Sequence, residues 1–361
     1  MITGEERRLA KHCIEYAVAN GADGIRVSLN KSVMDSCSML NGDLDKVSHS
    51  ADRSVFIYLY VDGRYDTFST NRLEEKELEE FIGQAIVMVR MLGEDRDRRL
   101  PSPERMAKDA RGGNELGLYD RYYEDSDSSS RLERAERMSI FDSLGKKAGY
   151  KVISEECEYA ESADDTFLID SQGFEGRHTE TSFNCFSEVT VQDEEGNRYS
   201  GYWWEASPHH DVLKLEECSH TALERAVSQI GPRTRRSGHY RMVVDGSVAS
   251  RLVSPLINAL NASAIQQKMS FLEGSLGKKV FSEGLTIMDM ARTPGRSGSR
   301  MYDSEGVATK DAPIIEDGIV KQYFVSTYMS GKTGLEATVE DISRPCLMPY
   351  MKGVDLSTGE K

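Results

Sequence analysis

The sequence lacks the features that identify secreted and membrane-spanning chains. None of its apolar runs approaches the roughly 20 residues that a transmembrane helix needs, although hydrophobic residues make up 39% of the 361. Its first residues, MITGEERRLAKHC, are charged and amphipathic and contain no apolar core of a signal peptide. The six cysteines include no CxxC pair, which is typical of reduced thiols rather than of a disulfide framework. We therefore expect a cytoplasmic globular protein without a membrane partner.

Positive charge is also scarce. The chain has 60 acidic against 45 basic residues and a net charge of −15, so its electrostatic field repels a phosphate backbone. The densest basic cluster is RTRR at residues 233–236, directly after a Gly-Pro helix stop. We interpret this cluster as a solvated loop or an inter-subunit salt link. We expect no nucleic-acid partner.

The common catalytic patterns are missing as well. The sequence contains no HExxH in any register, no GxSxG elbow, no Walker A loop and no GxGxxG after a strand. His209, His210, Cys218 and His220 form a local cluster, but adjacent histidines point apart on an extended chain and the spacing matches no standard zinc pattern. We therefore predict no catalytic residue and no metal ligand in this chain.

What the sequence does contain is the alternation typical of strands. Residues 24–32, 36–40, 45–50, 54–61 and 65–70 are predicted strands, and Asn41-Gly42 and Asp62-Gly63 supply tight hairpin turns between neighbours. Helices are predicted at residues 5–20 and 73–92. These elements form a predicted N-terminal domain over residues 1–92. Residues 93–130, with DRDRR, Gly-Gly and DSDSSS, have the composition of a linker.

Residues 131–361 are the predicted C-terminal, strand-rich domain. Helices are expected at 131–148, 218–230 and 247–260, the last capped by Ser247 and interrupted by Pro255. Strands are expected within 150–202 and at 241–244 and 285–290. The predicted fold class is therefore α+β, with two domains that are each a mainly antiparallel sheet with flanking helices.

The most informative stretch runs over residues 292–334. It begins with Gly295, Gly298 and small hydroxyl residues, which allow other backbone to approach closely. Two strand-like runs follow at 313–315 and 319–325, and the Glu316-Asp317-Gly318 between them supplies the Asp-Gly of a tight hairpin turn. The residues alone predict a hairpin beside a Gly-rich loop.

Short motifs occur in a specific order along this stretch and upstream of it. They are LGLYD at 116–120, DSQGF at 170–174, SGHY at 237–240, SFL at 270–272, DSEGV at 303–307, IEDGIVKQY at 315–323, TY at 327–328 and KTGL at 332–335. In order and spacing they resemble the TldD/PmbA family, once called modulators of DNA gyrase. The resemblance covers most of the chain.

The resemblance implies the PmbA (TldE) branch of that family. In the catalytic branch a helix carries an HExxxH zinc motif, and its positions fall here near Val253, Ser254 and Asn258, none of which supplies an imidazole or a general base. The family therefore implies that this chain holds no zinc and pairs with a TldD-like subunit that carries HExxxH and the zinc. Such a heterodimer would be a cytosolic metallopeptidase that acts on unfolded peptides.

On this interpretation the chain helps to hold the peptide by strand addition, main chain to main chain. The predicted peptide-binding residues lie in the Gly-rich loop and along the hairpin edge: Gly295, Arg296, Ser297, Gly298, Ser299, Ile319, Lys321 and Tyr323. This mode of binding reads the peptide backbone rather than its sequence.

Two alternatives remain open at this point. A non-enzymatic homodimer that binds peptides or a protein partner needs the same edge strands and no metal. An independent hydrolase with an unrecognised site is less favoured, because no acid, base and nucleophile converge in the sequence. The resemblance also implies further strands beyond Gly334, so either a sheet edge is open or the 361 residues are part of a longer product.

Overall fold

The central element is a long antiparallel sheet. The computed structural model describes residues 1–141 and 149–349. Six strands, β1 (Gly24–Leu40), β2 (Asp43–Val61), β3 (Arg64–Thr70), β4 (Tyr150–Asp170), β5 (Glu175–Asp193) and β6 (Arg198–Ser207), pair in the order β3-β2-β1-β4-β5-β6. Four of them have 17 to 21 residues, where about five or six is usual. Because these four strands are so long, the sheet has room for more than one helix along each of them.

Local turn chemistry fixes the first two hairpins. Asn41 and Gly42 have φ angles of 53° and 87°, and Asp62 and Gly63 have 51° and 70°. Asparagine, aspartate and glycine are the residues that tolerate this left-handed region, as a two-residue hairpin turn requires. Both predicted turns are confirmed.

Four helices cover one face of this sheet. They are α1 (Gly4–Ala19), α2 (Glu75–Val89), α4 (Ser128–Met138) and α5 (Leu215–Val227), with the short α3 (Tyr122–Asp125) before α4. Helix α1 begins at a capping box in which Thr3 and Glu6 each accept the other's backbone N–H. Val27, Ile57 and Phe167 are buried beneath α1 and α2. Their alternation with polar residues decides which face of each strand the helices cover.

A second sheet organises the residues after 245, which we call the C-terminal unit (residues 245–349). Its helices are α6 (Ser250–Ala259), α7 (Ala262–Gln266) and α8 (Thr327–Thr333). Its strands, β7 (Ile287–Asp289), β8 (Ala312–Glu316), β9 (Ile319–Val320) and β10 (Pro345–Leu347), pair in the order β10-β7-β8-β9. Leu260, Ile314 and Phe324 lie in its core.

The C-terminal unit packs on the uncovered face of the six-stranded sheet. Leu168 of β4 and Phe174 contact Tyr302 and Val307 in one buried cluster. At the far end of the strands the same face is open, and Met34 and Trp204 there are 46% and 53% exposed. The C-terminal unit therefore covers only the half of this face that contains Leu168.

The fold class is confirmed: the protein is α+β, with two mainly antiparallel sheets and flanking helices. The bounds 1–92, 93–130 and 131–361 stay a prediction. The first sheet takes β1, β2 and β3 from the first of these ranges and β4, β5 and β6 from the third, since β1 pairs with β4 from Arg26–Asp170 to Leu40–Glu156. Within the residues that the structure describes, no helix is both long and apolar enough to cross a bilayer.

Several element predictions were wrong. The five predicted N-terminal strands are three continuous ones, because the polar residues at the expected breaks still pair through their backbones, as Ser32 does with Asp52. Residues 241–244 are irregular rather than a strand, and the first three of them are exposed. Ser247 does not cap α6; the Asp245 side chain accepts the Ser247 N–H at 2.9 Å and begins a separate turn of 3-10 helix at Gly246–Val248. Part of the helix predicted at 131–148 lies outside the described residues.

Candidate functional site

The predicted peptide-binding loop is a closed turn. Ser299 donates its N–H to the Arg296 carbonyl at 3.1 Å, and Gly295 donates to the Leu116 carbonyl at 2.8 Å. A Cβ on Gly298, whose φ is +82°, would lie 3.3 Å from the Ser343 carbonyl oxygen. Within this turn Arg296, Ser297 and Gly298 are exposed and Ser299 is buried. The binding role of Gly295, Arg296, Ser297, Gly298 and Ser299 stays a prediction.

The predicted hairpin residues are largely engaged within the chain. Tyr323 is buried, and its hydroxyl donates to the Leu272 carbonyl at 2.7 Å and accepts the Ser275 N–H at 2.8 Å. Lys321 pairs with Glu316 at 2.9 Å. Beside Ile319, the Val320 N–H donates to the Lys278 carbonyl. This part of the β9 edge is therefore already paired, and the peptide-binding role of Ile319, Lys321 and Tyr323 stays a prediction.

The histidine and cysteine cluster does not form a common site. His210 Nδ1 lies 2.7 Å from Asp120 Oδ2, and His209 Nδ1 lies 3.9 Å from the same oxygen. Cys218 lies on the buried face of α5, whereas His220 on the same helix is exposed. The LGLYD motif thus supplies an aspartate that anchors His210.

Elsewhere in residues 1–141 and 149–349, one group could hold a metal ion by proximity. Ligand atoms of His12, Glu75 and Glu79 lie within 4.8 Å of one another on α1 and α2. His12 Nε2 is 2.8 Å from Glu79 Oε1. This contact links two neighbouring helices on the helix-covered face of the sheet. It explains why these side chains lie close together without an ion between them.

A cleft of about 480 Å³ lies between the other face of the sheet and the C-terminal unit. The sheet contributes Arg26, Tyr58, Tyr60 and Tyr65. The segment after α2 adds two arginines, and the C-terminal unit adds carboxylates, hydroxyls and the residues directly after α6. The cleft thus adjoins the helix in which the resemblance places the HExxxH motif.

Arg26 is the most unusual residue of this cleft. It is 6% exposed, and its guanidinium carbon lies 4.3 Å from the centre of the Tyr58 ring. Its Nε and Nη1 atoms are buried without a hydrogen-bond partner among the described residues. Burial raises the pKa of Tyr58, against the opposing effect of the Arg26 charge. An arginine with unpaired buried donors is costly unless an acceptor reaches it.

Aromatic rings and a second arginine close one side of the cleft. The guanidinium carbon of Arg98 lies 3.4 Å from the Tyr328 ring centre and 4.8 Å from that of Tyr65. Tyr65 in turn lies 4.9 Å from Tyr60, and the Tyr328 hydroxyl donates to Asp95 at 2.9 Å. These contacts hold the residues after α2 against both the sheet and α8.

The DSEGV motif forms the opposite, acidic wall. Asp303 is 2% exposed; its Oδ1 accepts the Glu305 and Val307 N–H groups, both at 2.9 Å, and its Oδ2 accepts the Glu340 N–H at 2.8 Å. Glu305 Oε2 accepts the Thr327 N–H at 2.8 Å. Burial raises the pKa of Glu305, and the charges of Asp303 and Glu340 raise it further.

The DSQGF motif forms the same kind of turn on the sheet side. Asp170 Oδ1 accepts the Gln172 and Phe174 N–H groups at 2.8 and 3.0 Å, and Gly173 has a φ of 96°. Asp170 also lies opposite Arg26 in the β1–β4 register. Both D-S-x-G motifs are therefore turns with a buried aspartate beside a residue of the cleft lining, Arg26 for Asp170 and Ser304 for Asp303.

This arrangement is suited to binding. The cleft lining contains arginine, tyrosine, glutamate, asparagine, serine, phenylalanine and methionine, but neither histidine nor cysteine. Sequence reasoning missed Arg26, Tyr58 and Tyr60. The available signal in the sequence was that Arg26 alternates with the buried apolar residues Ile25 and Val27. Such alternation places Arg26 on the opposite face of the sheet, but it does not show which segment covers that face.

Three family models match successive parts of the chain. They are described as PmbA/TldA metallopeptidase domain 1, central domain and C-terminal domain, and they match residues 26–89, 120–230 and 237–355. The metalloprotease PmbA of Escherichia coli O157:H7 is 24% identical over 339 residues, which are 92% of this chain and 73% of that protein.

Solved structures give the same result. A Bacteroides thetaiotaomicron protein described as a candidate modulator of DNA gyrase is 35% identical, with a TM-score of 0.90 over 96% of this chain and 78% of that one. TldE from Thermococcus kodakarensis, at 17% identity, has a TM-score of 0.72 over 95% and 76%. The second likeness concerns the fold alone.

Proposed function

Because the chain belongs to the PmbA/TldD family, we propose that it is a PmbA/TldE-like subunit of a cytoplasmic metallopeptidase complex that processes or degrades unfolded peptides. The catalytic zinc in this proposal is held by a TldD-like partner with an HExxxH motif, and the two chains form a heterodimer. The present chain is not catalytic alone. With a net charge of −15, nucleic acid is not its partner.

The observation that carries the proposal is the composition of α6. The HExxxH positions fall near Val253, Ser254 and Asn258, which offer neither imidazole nor carboxylate. A catalytic zinc needs about three such protein ligands and a base for its bound water. The cleft beside α6 supplies arginines, tyrosines and two glutamates instead, which supports a role in binding rather than in hydrolysis.

Exposed apolar side chains support assembly with another chain. Six large ones between residues 240 and 271 are more than half exposed: Tyr240, Met242, Val243, Leu252, Met269 and Phe271. Large exposed apolar side chains grouped on one segment support a protein contact there. The partner surface in this proposal is therefore the outer side of α6 and the residues before and after it.

The test combines this chain with a TldD-type protein from the same cell. Peptidase activity on an unstructured peptide and bound zinc are measured for each chain alone and for the mixture. We expect this chain to be inactive and metal-free, and the mixture to form a stable complex that is more active than the partner alone. A partner whose HExxxH glutamate is replaced by glutamine serves as the inactive control.

Two methionine variants locate the contact. Met242→Glu places a charge on the proposed surface, whereas Met91→Glu places the same charge at the end of α2; the two methionines are 74% and 79% exposed. Only Met242→Glu should weaken the complex. Stoichiometric zinc or activity in the isolated chain contradicts the proposal, and no association at all favours the non-enzymatic homodimeric binding protein.

A further inference from the structure

We propose that the cleft around Arg26 binds a carboxylate of a peptide. This inference takes its ligand class from the proposed function, but it concerns binding to this chain by itself. Its basis is a buried arginine in the wall of the cleft, whose Nε and Nη1 have no hydrogen-bond acceptor among the described residues. A volume of about 480 Å³ is within the range of about 300–1,000 Å³ found for ligand sites.

The acid opposite Arg26 in the sheet does not accept a hydrogen bond from its Nε or Nη1. Asp170 lies opposite it in the β1–β4 register, but Asp170 Oδ1 is occupied by two backbone N–H groups of its own turn. Within residues 1–141 and 149–349, Asp170 Oδ2 is buried without a hydrogen-bond partner, as are Arg26 Nε and Nη1. The two residues therefore offset each other's charge at a distance, while the guanidinium keeps unused donors.

A carboxylate supplies what Arg26 lacks. The planar guanidinium fork matches the two oxygens of one carboxylate, which is the strongest common form of this contact. No hydrogen bond to the described residues holds Nε or Nη1 in place. Rotation about the last side-chain bonds can thus turn these donors towards an incoming ligand.

The acidic wall and the tyrosine rings favour a peptide over a phosphate, although Arg98 and Arg99 also line the cleft. Glu305 and Glu340 face the cavity from the C-terminal unit, and they repel a doubly charged phosphate more than a singly charged carboxylate. The rings of Tyr58, Tyr60 and Tyr65 offer apolar surface with hydroxyl groups at its border, a combination suited to peptide side chains.

The test is calorimetric titration of the full chain with tetraalanine as the free acid and as its C-terminal amide. We expect the acid to bind and the amide to bind roughly tenfold to a hundredfold more weakly, the range for a hydrogen bond to a charged group. An amidated peptide with one internal glutamate separates a side-chain carboxylate from a terminal one. Binding of either carboxylate supports the inference.

Variants assign the effect to Arg26. Arg26→Met should remove the preference for the acid, whereas Arg53→Met, on the helix-covered face where Arg53 contacts Glu6, should leave it unchanged. Arg26→Met also removes the charge that offsets buried Asp170, so we expect it to lower the stability, and thermal unfolding checks that the variant is folded at the temperature of the titration. Arg26→Lys, which keeps the charge but not the fork, should bind with intermediate affinity.

Several results would overturn the inference. They are equal binding of acid and amide by the wild type, an unchanged preference in Arg26→Met, no binding of any of these peptides, or tighter binding of inorganic phosphate than of the acid. The comparison of acid with amide needs no variant, and equal binding of the two refutes the inference even if Arg26→Met does not fold. Failure to assemble with a TldD-type protein leaves this measurement unaffected, so the two proposals fail separately.

Discussion

Asp303→Asn should destabilise the protein by about 2 kcal/mol, the value of one hydrogen bond to a charged group. The change keeps the shape of the side chain. The asparagine oxygen can still accept the Glu305 and Val307 N–H groups, as Asp303 Oδ1 does at 2.9 Å. The amide nitrogen, however, then faces the Glu340 N–H, which Oδ2 accepts at 2.8 Å in the wild type. The hydrogen bond from the Glu340 N–H is thus lost, and two donor groups face each other in its place.

One effect acts in the other direction. Burial raises the pKa of Asp303, which means that the ionised form is penalised at this site, and asparagine removes that penalty. The expected loss therefore lies near the lower end of the range of about 1.5–3 kcal/mol for hydrogen bonds to charged groups.

The assay is urea unfolding near pH 7, with Asp317→Asn as the control. Asp317→Asn removes the same charge from an exposed hairpin turn. Asparagine suits the φ of 48° at this position as well as aspartate does. We expect the control to change the free energy of unfolding by less than about 0.5 kcal/mol. If Asp303→Asn also stays within that limit, the role assigned to the DSEGV turn is refuted.

Three further predictions concern other parts of the molecule. Gly201→Ala should cost about 3 kcal/mol, because its Cβ would lie 2.2 Å from the Ala226 backbone nitrogen; in urea unfolding Gly93→Ala, with nothing within 4 Å, is the neutral control. Since burial raises the pKa of Glu305, the wild type should lose stability relative to Glu305→Gln as pH rises above about 4.3, and the opposite slope in unfolding at several pH values would contradict the burial argument. Tyr323→Phe should cost about 1–3 kcal/mol in thermal unfolding by leaving buried backbone groups unpaired, and an unchanged Tm would return Tyr323 to the candidates for peptide contact.

Much of the fold was predictable because its signals are local. The Asn41-Gly42 and Asp62-Gly63 turns and helix α1 depend on residues within a few positions of one another. The D-S-x-G motifs belong to the same class, since each aspartate accepts N–H groups two and four residues later. The family resemblance followed from such motifs, and it was confirmed.

The candidate site was much less predictable. The sequence singled out a loop and a hairpin by their glycines and turn residues, but glycine permits close approach to any backbone, including that of the same chain. In the structure Gly298 lies against Ser343, and Tyr323 bonds to the backbone near residue 272. The local geometry of a motif therefore did not reveal whether its backbone is open to a ligand or already packed against the same chain.

What the sequence by itself determined is the fold class, the first two hairpin turns and helix α1, together with the absence of an HExxxH motif. The tertiary structure alone decided that β1 pairs with β4 and that the C-terminal unit covers Arg26. The physical reason is that alternation places a side chain on one face of a strand, whereas its burial and its missing partners depend on segments more than a hundred residues away.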